Sequence, residues 1–422
     1  MPERGEAEEV APGTAAGSAR SRFSWHRLAL VLGPGLVAML ADTDAGSVIT
    51  VAQSGAQWGY RLLLPNLLLI PFMYVAQESA MRLALGTGSG IAELVAQRYG
   101  RRVAALLLAA LAASCFGGLL SQLSGLAGVA EAFAVPVAPV IAGTVGGLIL
   151  IVVTGSYRRV ERISLFLGLF ELAFLVMAWR AAPNFAQIAG GALRPPLADR
   201  GYLYLLAANL GTSIIPWALL YQASASVDKG LGAGEMRAAR VETLVAIVLC
   251  QTITSALLIA AAATLGSGGA LRTVGQIERA FTATLGPALG RFVFVLGLSG
   301  SALVATIVIC LTLAWSVGEV LGVQHSLEHE PIRAPWFYGA LTLTLALGGA
   351  IVAAGIDLVG LSIAAGVLNA LLLPPLLFVL HRLTQTALPP ALRPRGLYRG
   401  CSTAAFAIVA AVALYAGLAG LL

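Results

Sequence analysis

The sequence predicts an all-α integral membrane protein with about eleven transmembrane helices, and three observations support this fold class. Of the 422 residues, 58% are hydrophobic and only 11% are charged, whereas a soluble domain carries about 25% charged residues. The mean hydropathy is +0.87. Apolar stretches long enough to cross a hydrocarbon core of about 30 Å repeat almost from end to end. Because a chain in lipid must satisfy its own backbone hydrogen bonds, we expect these stretches to be helices.

The eleven spans are separated by short polar or charged connections. We predict them at 28–57, 62–84, 103–132, 135–155, 162–180, 201–226, 243–265, 286–322, 336–355, 357–381 and 402–421. In chain order they give a tail 1–24, a first five-helix unit 25–182, an extracellular loop 183–200, a second five-helix unit 201–383, and a linker with helix 11 in 384–422. The tail is polar and has no apolar stretch at its start, so we expect a disordered cytoplasmic segment and not a cleaved signal peptide.

Basic residues orient the spans. With the N-terminus inside, most of the 26 Lys and Arg residues lie in inner segments, among them the pairs Arg101–Arg102 and Arg158–Arg159. This bias follows the positive-inside rule and predicts a multi-pass protein of the cell membrane with a cytoplasmic N-terminus. The net charge of +6 is therefore assigned to membrane orientation and not to nucleic-acid binding.

The cysteines and histidines exclude several classes of protein. The four cysteines form no CxxC pair, so neither a disulfide framework nor a thiolate metal site is indicated. The four histidines lie at span ends or in loops, and the chain has no metalloprotease motif and no soluble domain. We therefore expect neither an enzyme nor a resident cofactor.

Two spans are interrupted near their centres. The first carries Asp42 and Asp44, followed by Gly46, in the middle of an apolar run. Two carboxylates at that depth cost several kcal/mol unless they are solvated, protonated or matched by a cation. The sixth carries Gly211 and Pro216 near its centre. Proline removes a backbone donor and clashes with the carbonyl four residues back, which frees backbone acceptors.

Spans 1 and 6 are each the first of five. Two inverted units of five helices, each with a broken first helix, are the architecture of LeuT-type carriers, in which the broken segments meet at the midplane and hold an ion. Other interpretations of the single residues remain open. Pro216 on its own could be an ordinary kink, and Asp42 could line a cavity mouth or pair with an arginine.

The first span also carries a family motif. The segment DAGSVITVAQSGAQWGY, residues 44–60, resembles the first-span motif of the Nramp family of divalent-metal transporters. The resemblance extends over about residues 28–381 and is most specific at this segment. It implies that Asp44 takes the place of the metal-binding aspartate, that Ala45 replaces a proline, and that Ser47 replaces an asparagine ligand.

Elsewhere the sequence departs from the family pattern. In span 6, Ile215 stands where the family has a metal-binding methionine, and Trp217 stands where it has a histidine. In span 3, Gln122 and Gly125 align with two acidic residues that serve proton transfer in the family. We take Asp42, Asp44, Glu78, Glu131 and Asp357 as the remaining candidates near or within spans for relaying a proton. The resemblance to the Nramp-related magnesium transporters, which lack the methionine, therefore implies transport of Mg²⁺ and Mn²⁺.

The ligand preferences of the two kinds of cation account for these departures. A thioether favours transition metals, whereas hard cations such as Mg²⁺ prefer oxygen ligands. Mg²⁺ usually keeps several waters and is held by one or two carboxylates. With few titratable groups to relay protons, we expect facilitated import of a partly hydrated Mg²⁺, and also of Mn²⁺, by alternating access without proton coupling.

The predicted metal site gathers residues from three spans. Asp44 is the principal ligand, and Ser47 and Thr212 contribute a hydroxyl and a carbonyl, directly or through water, or line the cavity. Asp42 supplies a second carboxylate. The resemblance adds Ile215 and Trp217, the latter as a cavity wall or a packing residue. It also adds Asn369 in span 10 as the side chain that completes the site. Glu78 and Arg82, four residues apart, are expected to form a structural pair.

Three other functions were weighed. A proton-coupled Mn²⁺ or Fe²⁺ carrier is disfavoured by the missing methionine, histidine and span 3 acids. A sodium-coupled carrier of organic solutes is disfavoured because Asp44 would repel an anionic substrate. A channel or receptor fits broken helices with a central site less well than alternating access does. The expected partners are a divalent cation and the lipid bilayer, with no nucleic acid, and we expect a monomer.

Overall fold

The computed structural model describes residues 33–154, 156–181, 184–266, 269–327, 331, 333–354 and 358–421. The predicted tail 1–24 and Asp357 lie outside the described residues. Within them the chain forms seventeen α-helices: α1 Pro34–Asp42, α2 Ala45–Trp58, α3 Leu63–Thr87, α4 Ile91–Tyr99, α5 Arg101–Ala132, α6 Val137–Thr154, α7 Tyr157–Gly168, α8 Ala173–Arg180, α9 Phe185–Ala192, α10 Arg200–Ser213, α11 Pro216–Asp228, α12 Met236–Leu265, α13 Val274–Leu285, α14 Pro287–Leu321, α15 Pro335–Ala353, α16 Leu358–Thr386 and α17 Gly396–Leu421. Three 3₁₀-helices accompany them: Gly59–Leu62, Leu169–Leu172 and Ala233–Glu235. The predicted all-α class is confirmed.

The helices correspond to the predicted spans. Nine stretches of the described residues are long and apolar enough to cross a membrane, and the apolar helix Val137–Val153 is shorter. One of the nine, Ala45–Thr87, has 43 residues. As a straight helix it would extend about 65 Å, about twice the hydrocarbon thickness. Gly59, at φ 58°, and the 3₁₀-helix that it begins divide it into α2 and α3.

Both predicted breaks are present. Helix α1 ends at Asp42, Thr43 leaves the helical conformation, and Asp44 is the N-cap of α2. Helix α10 ends at Ser213, and the extended residue Ile215 leads into Pro216, the first residue of α11. Proline is well placed there because the first residue of a helix has no intrahelical partner for its N–H. Spans 1 and 6 are therefore each two half-helices, as the LeuT-type architecture requires.

Span 5 contains a third interruption, which the sequence analysis did not predict. Helix α7 ends at Gly168, the 3₁₀-helix Leu169–Leu172 follows, and α8 continues the span. A stretch of 3₁₀-helix inside a longer helix often marks a hinge or a functional position. Glu171 lies in this segment.

The broken spans are surrounded by other helices. Helix α10 packs against α16, α2 against α12, and α14 against both α5 and the 3₁₀-helix of span 5. The contact between α10 and α16 requires glycine, because a side chain at Gly211 would collide with the carbonyl of Gly366. Small residues of this kind allow helices to approach closely within a membrane. The close packing brings the two breaks to the same place.

Glu242 of α12 holds the beginning of the first span. Its carboxylate accepts hydrogen bonds from the backbone N–H groups of Gly33, at 2.8 Å, and Leu36, at 3.0 Å. Both donors belong to the N-terminal end of α1, where N–H groups have no intrahelical partner. The Lys229–Glu161 ion pair, at 2.8 Å, lies beside Gly33. Helix α1 is therefore attached at its N-terminus to α12.

The predicted pair of Glu78 and Arg82 is also present. The guanidinium Nε of Arg82 donates to Glu78 Oε1 at 3.1 Å. The same carboxylate accepts from Arg240 at 2.8 Å and from the Tyr398 hydroxyl at 2.6 Å. The pair thus belongs to a network that joins α3, α12 and α17, which agrees with its expected structural role.

Candidate metal centre at the helix breaks

Asp44 lies at the start of α2 with its carboxylate pointing back over the helix end. It is the N-cap, its Oδ1 accepts from the backbone N–H of Ser47 at 2.6 Å, and it is only 4% exposed. Aspartate is a preferred N-cap residue, and the positive end of the helix dipole favours its negative charge. The local sequence therefore fixes an anionic group at the break.

Gln122 of α5 is hydrogen bonded to the second carboxylate oxygen of Asp44. Its Nε2 donates to Asp44 Oδ2 at 2.6 Å and to the carbonyl of Gly118 at 3.1 Å. Its Oε1 accepts from the backbone N–H of Ala45 at 2.9 Å. From the sequence alone, Gln122 is only the replacement of a family acid. The structure shows that this amide connects span 3 to the break in span 1.

Ser47 joins the two broken spans. Its hydroxyl faces two backbone carbonyl oxygens, that of Asp42 at 2.7 Å and that of Thr212 at 3.1 Å. These carbonyls lie at the C-terminal ends of α1 and α10, where they have no intrahelical donor and carry the negative end of each helix dipole. The Thr212 hydroxyl itself donates to the carbonyl of Asn209 at 3.2 Å. Thr212 therefore presents its carbonyl, and not its hydroxyl, to Ser47.

The carboxylate of Asp42 points toward α12. The Cys250 thiol donates to Asp42 Oδ2 at 3.6 Å, and the Thr43 hydroxyl donates to Cys250 Sγ at 3.3 Å. The other oxygen, Asp42 Oδ1, is buried without a hydrogen-bond partner. Asp42 thus adds negative charge at the break, on the side that faces spans 5 and 7.

Glu171 is an acidic residue of this region that the sequence analysis missed. It is completely buried, and both of its carboxylate oxygens lack a hydrogen-bond partner. The helices on either side of it, α7 and α8, pack against α1 and α12, which places it beside the break in span 1. A signal was available in the sequence, because Glu171 is the only charged residue in the apolar stretch SLFLGLFELAFLV, residues 164–176. An ionisable residue in such a stretch is by default a functional candidate.

The three remaining predicted residues are placed differently. Ile215 is buried at the break in span 6 as the N-cap of α11. Trp217 packs against Gly118 with its Nε1 unpartnered, which favours the packing role. Asn369 accepts from the Ser114 hydroxyl at 2.7 Å. Since Ser114 precedes Gln122 by about two helical turns, or about 12 Å, Asn369 is not brought to Asp44.

Ser362 is the polar residue of α16 that comes near the first break. Its hydroxyl bonds to that of Ser121 at 2.8 Å, and Ser121 lies beside Gly46. It is not among the predicted site residues. Its signal was weak, since a single serine in an apolar span is common.

The centre is rich in oxygen and negatively charged. Asp42, Asp44 and Glu171 take part in none of the four ion pairs found among the described residues. Among the residues that the structure describes, no three or more His, Cys, Asp or Glu side chains are grouped so that they could hold a metal ion. A hydrated Mg²⁺ needs only one or two carboxylates, however, and its remaining ligands are waters or carbonyls. The arrangement at Asp44 therefore suits a hard, partly hydrated cation.

Comparison with known proteins places this centre in context. Residues 35–419 match the family described as natural resistance-associated macrophage protein-like, Nramp. The chain is 26% identical over 356 residues to the divalent metal cation transporter MntH of Verminephrobacter eiseniae, which covers 81% of this chain and 78% of that protein.

Solved structures show the same fold. A manganese transporter of Eremococcus coleocola superposes with a TM-score of 0.75 at 19% identity, covering 92% of this chain and 86% of its own. MhsT, solved in complex with L-phenylalanine, superposes with a TM-score of 0.62 at 14% identity, covering 92% and 98%. These similarities confirm the predicted LeuT-type class.

Proposed function

The chain belongs to the Nramp family, and on that premise we propose that it is a divalent metal ion transporter that imports Mg²⁺, and also Mn²⁺, as partly hydrated ions. Transport proceeds by alternating access without proton coupling. A relative across most of the chain is named a divalent metal cation transporter, which supports the coarser part of this function.

The arrangement around Ser47 carries the proposal. The carboxylate of Asp44 and the carbonyl oxygens of Asp42 and Thr212 converge on this one residue. In the absence of an ion, the backbone N–H and the hydroxyl of Ser47 donate to these oxygens. When a cation binds, the Ser47 hydroxyl can rotate its hydrogen away, so that Asp44, the two carbonyls and the Ser47 oxygen become direct or water-mediated ligands.

The chemistry of these ligands favours Mg²⁺. All of them are hard oxygen donors, and Ile215 offers no sulfur at the position where the family has its methionine. The site does not exclude Mn²⁺, which also accepts carboxylate, carbonyl and water ligands. The membrane potential supplies about 2.3 kcal/mol per charge per 100 mV for inward movement of a cation. A divalent ion gains about twice that, so import needs no proton.

A second candidate function is a proton-coupled carrier of Mn²⁺ or Fe²⁺. Two observations favour it: Glu171 is a buried carboxylate within a span, and the thiol of Cys250 lies against Asp42. Buried carboxylates form proton relays in membrane carriers, and thiols favour transition metals over Mg²⁺. In both candidates one chain contains the whole pathway, so we propose that the monomer is sufficient.

Ion flux into liposomes separates the two candidates. The reconstituted protein is exposed to Mg²⁺ or Mn²⁺, with a fluorescent indicator for the ion inside one set of vesicles and a pH dye inside another. Saturable Mg²⁺ entry without internal acidification is the expected result. Mn²⁺ entry with acidification, and without Mg²⁺ entry, would instead establish the proton-coupled carrier. If neither ion enters, a sodium-coupled carrier of organic solutes becomes the function to test.

Asp44→Asn is the decisive variant. Asparagine caps a helix about as well as aspartate does, so this change removes the charge and keeps the helix start. We expect Mg²⁺ entry to fall to the level of empty vesicles. Asp199→Asn is the matched control, because Asp199 is the N-cap of α10 at an exposed position. Its flux should equal that of the wild type.

A further inference from the structure

Three carboxylates surround the break in span 1, but only that of Asp44 has both oxygens hydrogen bonded. The two oxygens of Glu171 and Oδ1 of Asp42 have no partner. Asp42 is 2% exposed and Glu171 0%. Buried anionic oxygens without donors are unfavourable, and a folded protein retains them where a ligand or a proton compensates their charge.

These unpartnered oxygens lie on one side of the break. Glu171 lies between α7, which packs against α1, and α8, which packs against α12. Cys250 of α12 bonds with both Asp42 and Thr43. Gln122 of α5, in contrast, bonds with Asp44 and Ala45. The break therefore has two faces. On the face toward span 3, both carboxylate oxygens of Asp44 are hydrogen bonded. On the face toward spans 5 and 7, three carboxylate oxygens have no partner.

The backbone around Glu171 is also irregular. The residue lies in the 3₁₀-helix Leu169–Leu172, and Asp42 is the last residue of α1. Positions at helix ends and within 3₁₀ segments leave carbonyl oxygens less fully bonded, so they can serve as ligands. Carboxylates, a hydroxyl and such carbonyls are ligands that divalent cations accept together with their waters.

We propose that Asp42 and Glu171, with the Thr43 hydroxyl, form a second cation position in the transport pathway. The transported divalent ion passes between this position and the one formed by Asp44, Ser47 and the Thr212 carbonyl. This inference rests on the proposed function and adds Glu171 as a residue that contacts the ion. A hydrated divalent cation can compensate the charge of two carboxylates at once, whereas neutralising them with protons takes one proton for each.

The test compares three variants in purified, reconstituted protein. Glu171→Gln removes the charge and keeps the shape, Glu171→Asp keeps the charge, and Glu131→Gln is the control at an exposed position on α5. Thermal unfolding is measured with and without Mg²⁺ or Mn²⁺, since an ion that binds the folded state raises Tm. Uptake and internal pH are recorded as described for the wild type.

We expect Glu171→Gln to be at least as stable as the wild type without ions and to lose most of the ion-induced rise in Tm. The KM for Mg²⁺ should increase by at least about 10- to 100-fold, since removal of groups that only support a metal ligand already has an effect of this size. Glu171→Asp should restore much of both effects, and Glu131→Gln should match the wild type.

Three results would overturn the second position. The first is a Glu171→Gln variant with unchanged KM and unchanged ion-induced Tm shift. The second is a fall in Tm without ions, because that would make Glu171 a structural group. The third is wild-type metal entry with acidification that the variant abolishes, because that would make Glu171 a proton carrier. Absence of any divalent flux in the wild type would instead refute the proposed function itself.

Discussion

The breaks in spans 1 and 6 occupy corresponding places in the two predicted five-helix units, but they are built differently. The break in span 1 carries Asp42 and Asp44, and its side chains bond with α5 and α12. The break in span 6 carries no charged side chain and contributes the carbonyl of Thr212. The break in span 1 therefore provides the negative charge of the centre, and the break in span 6 provides a backbone carbonyl and part of the shape of the site. Symmetry of the fold does not impose symmetry of the chemistry.

Adding an acid on the charged side should have the largest effect. In Gln122→Glu, a second carboxylate would lie at the position where the amide now donates to Asp44 Oδ2 at 2.6 Å. Two carboxylates so close share a proton unless a cation binds. Metal entry should then require loss of that proton, so the KM should rise by up to about tenfold for each unit by which pH falls. Uptake assays across a pH series measure this.

The control for that experiment is Gln97→Glu, at an exposed position on α4. Its pH profile should be that of the wild type. A Gln122→Glu variant whose KM is independent of pH would show that span 3 does not act on Asp44 during transport.

Adding a soft ligand on the uncharged side should have an intermediate effect. Ile215→Met conserves volume closely enough for the buried position to accept it. A thioether at this break should increase the preference for Mn²⁺ over Mg²⁺ by about tenfold, since sulfur ligands favour transition metals. Competition of the two ions for uptake gives the ratio. Leu219→Met, one turn further along α11, is a buried control that should leave the ratio unchanged.

The smallest change in KM is expected from Thr212→Val. The matched change at the other break, Thr43→Val, is measured beside it for comparison. The Thr212 hydroxyl bonds only within its own helix, so KM should change by no more than about twofold. Thr43→Val removes a hydroxyl that bonds with Cys250 beside Asp42, and its KM should rise further. Equal values for the two variants would mean that the breaks are chemically equivalent after all.

Much of this arrangement could be predicted because lipid permits few backbone structures. Apolar length indicated the helices, and carboxylates or proline within apolar runs indicated the breaks at Asp42–Asp44 and Pro216. The association of Asp44, Ser47 and Thr212 followed from the repeat and from the family motif. The cytoplasmic N-terminus and the limits 25–182 and 201–383 of the two units stay predictions.

The rotation of the other helices could not be predicted. A span that is apolar on all sides has no pattern that tells which face points inward. The sequence analysis therefore assigned Asn369 to the site, whereas in the structure Ser362 comes near the first break and Asn369 bonds with Ser114. The 3₁₀ segment around Glu171 was missed because its apolar neighbours favour a continuous helix.

The attachment of α1 by Glu242 has a consequence for cells that contain this carrier. Swinging α1 away from α12 would expose the N–H groups of Gly33 and Leu36 and leave a buried carboxylate without donors. The empty carrier should therefore spend little time open on that side. With the N-terminus in the cytoplasm, as predicted, a cell that contains this carrier should lose the transported divalent cation only slowly when the external supply runs low.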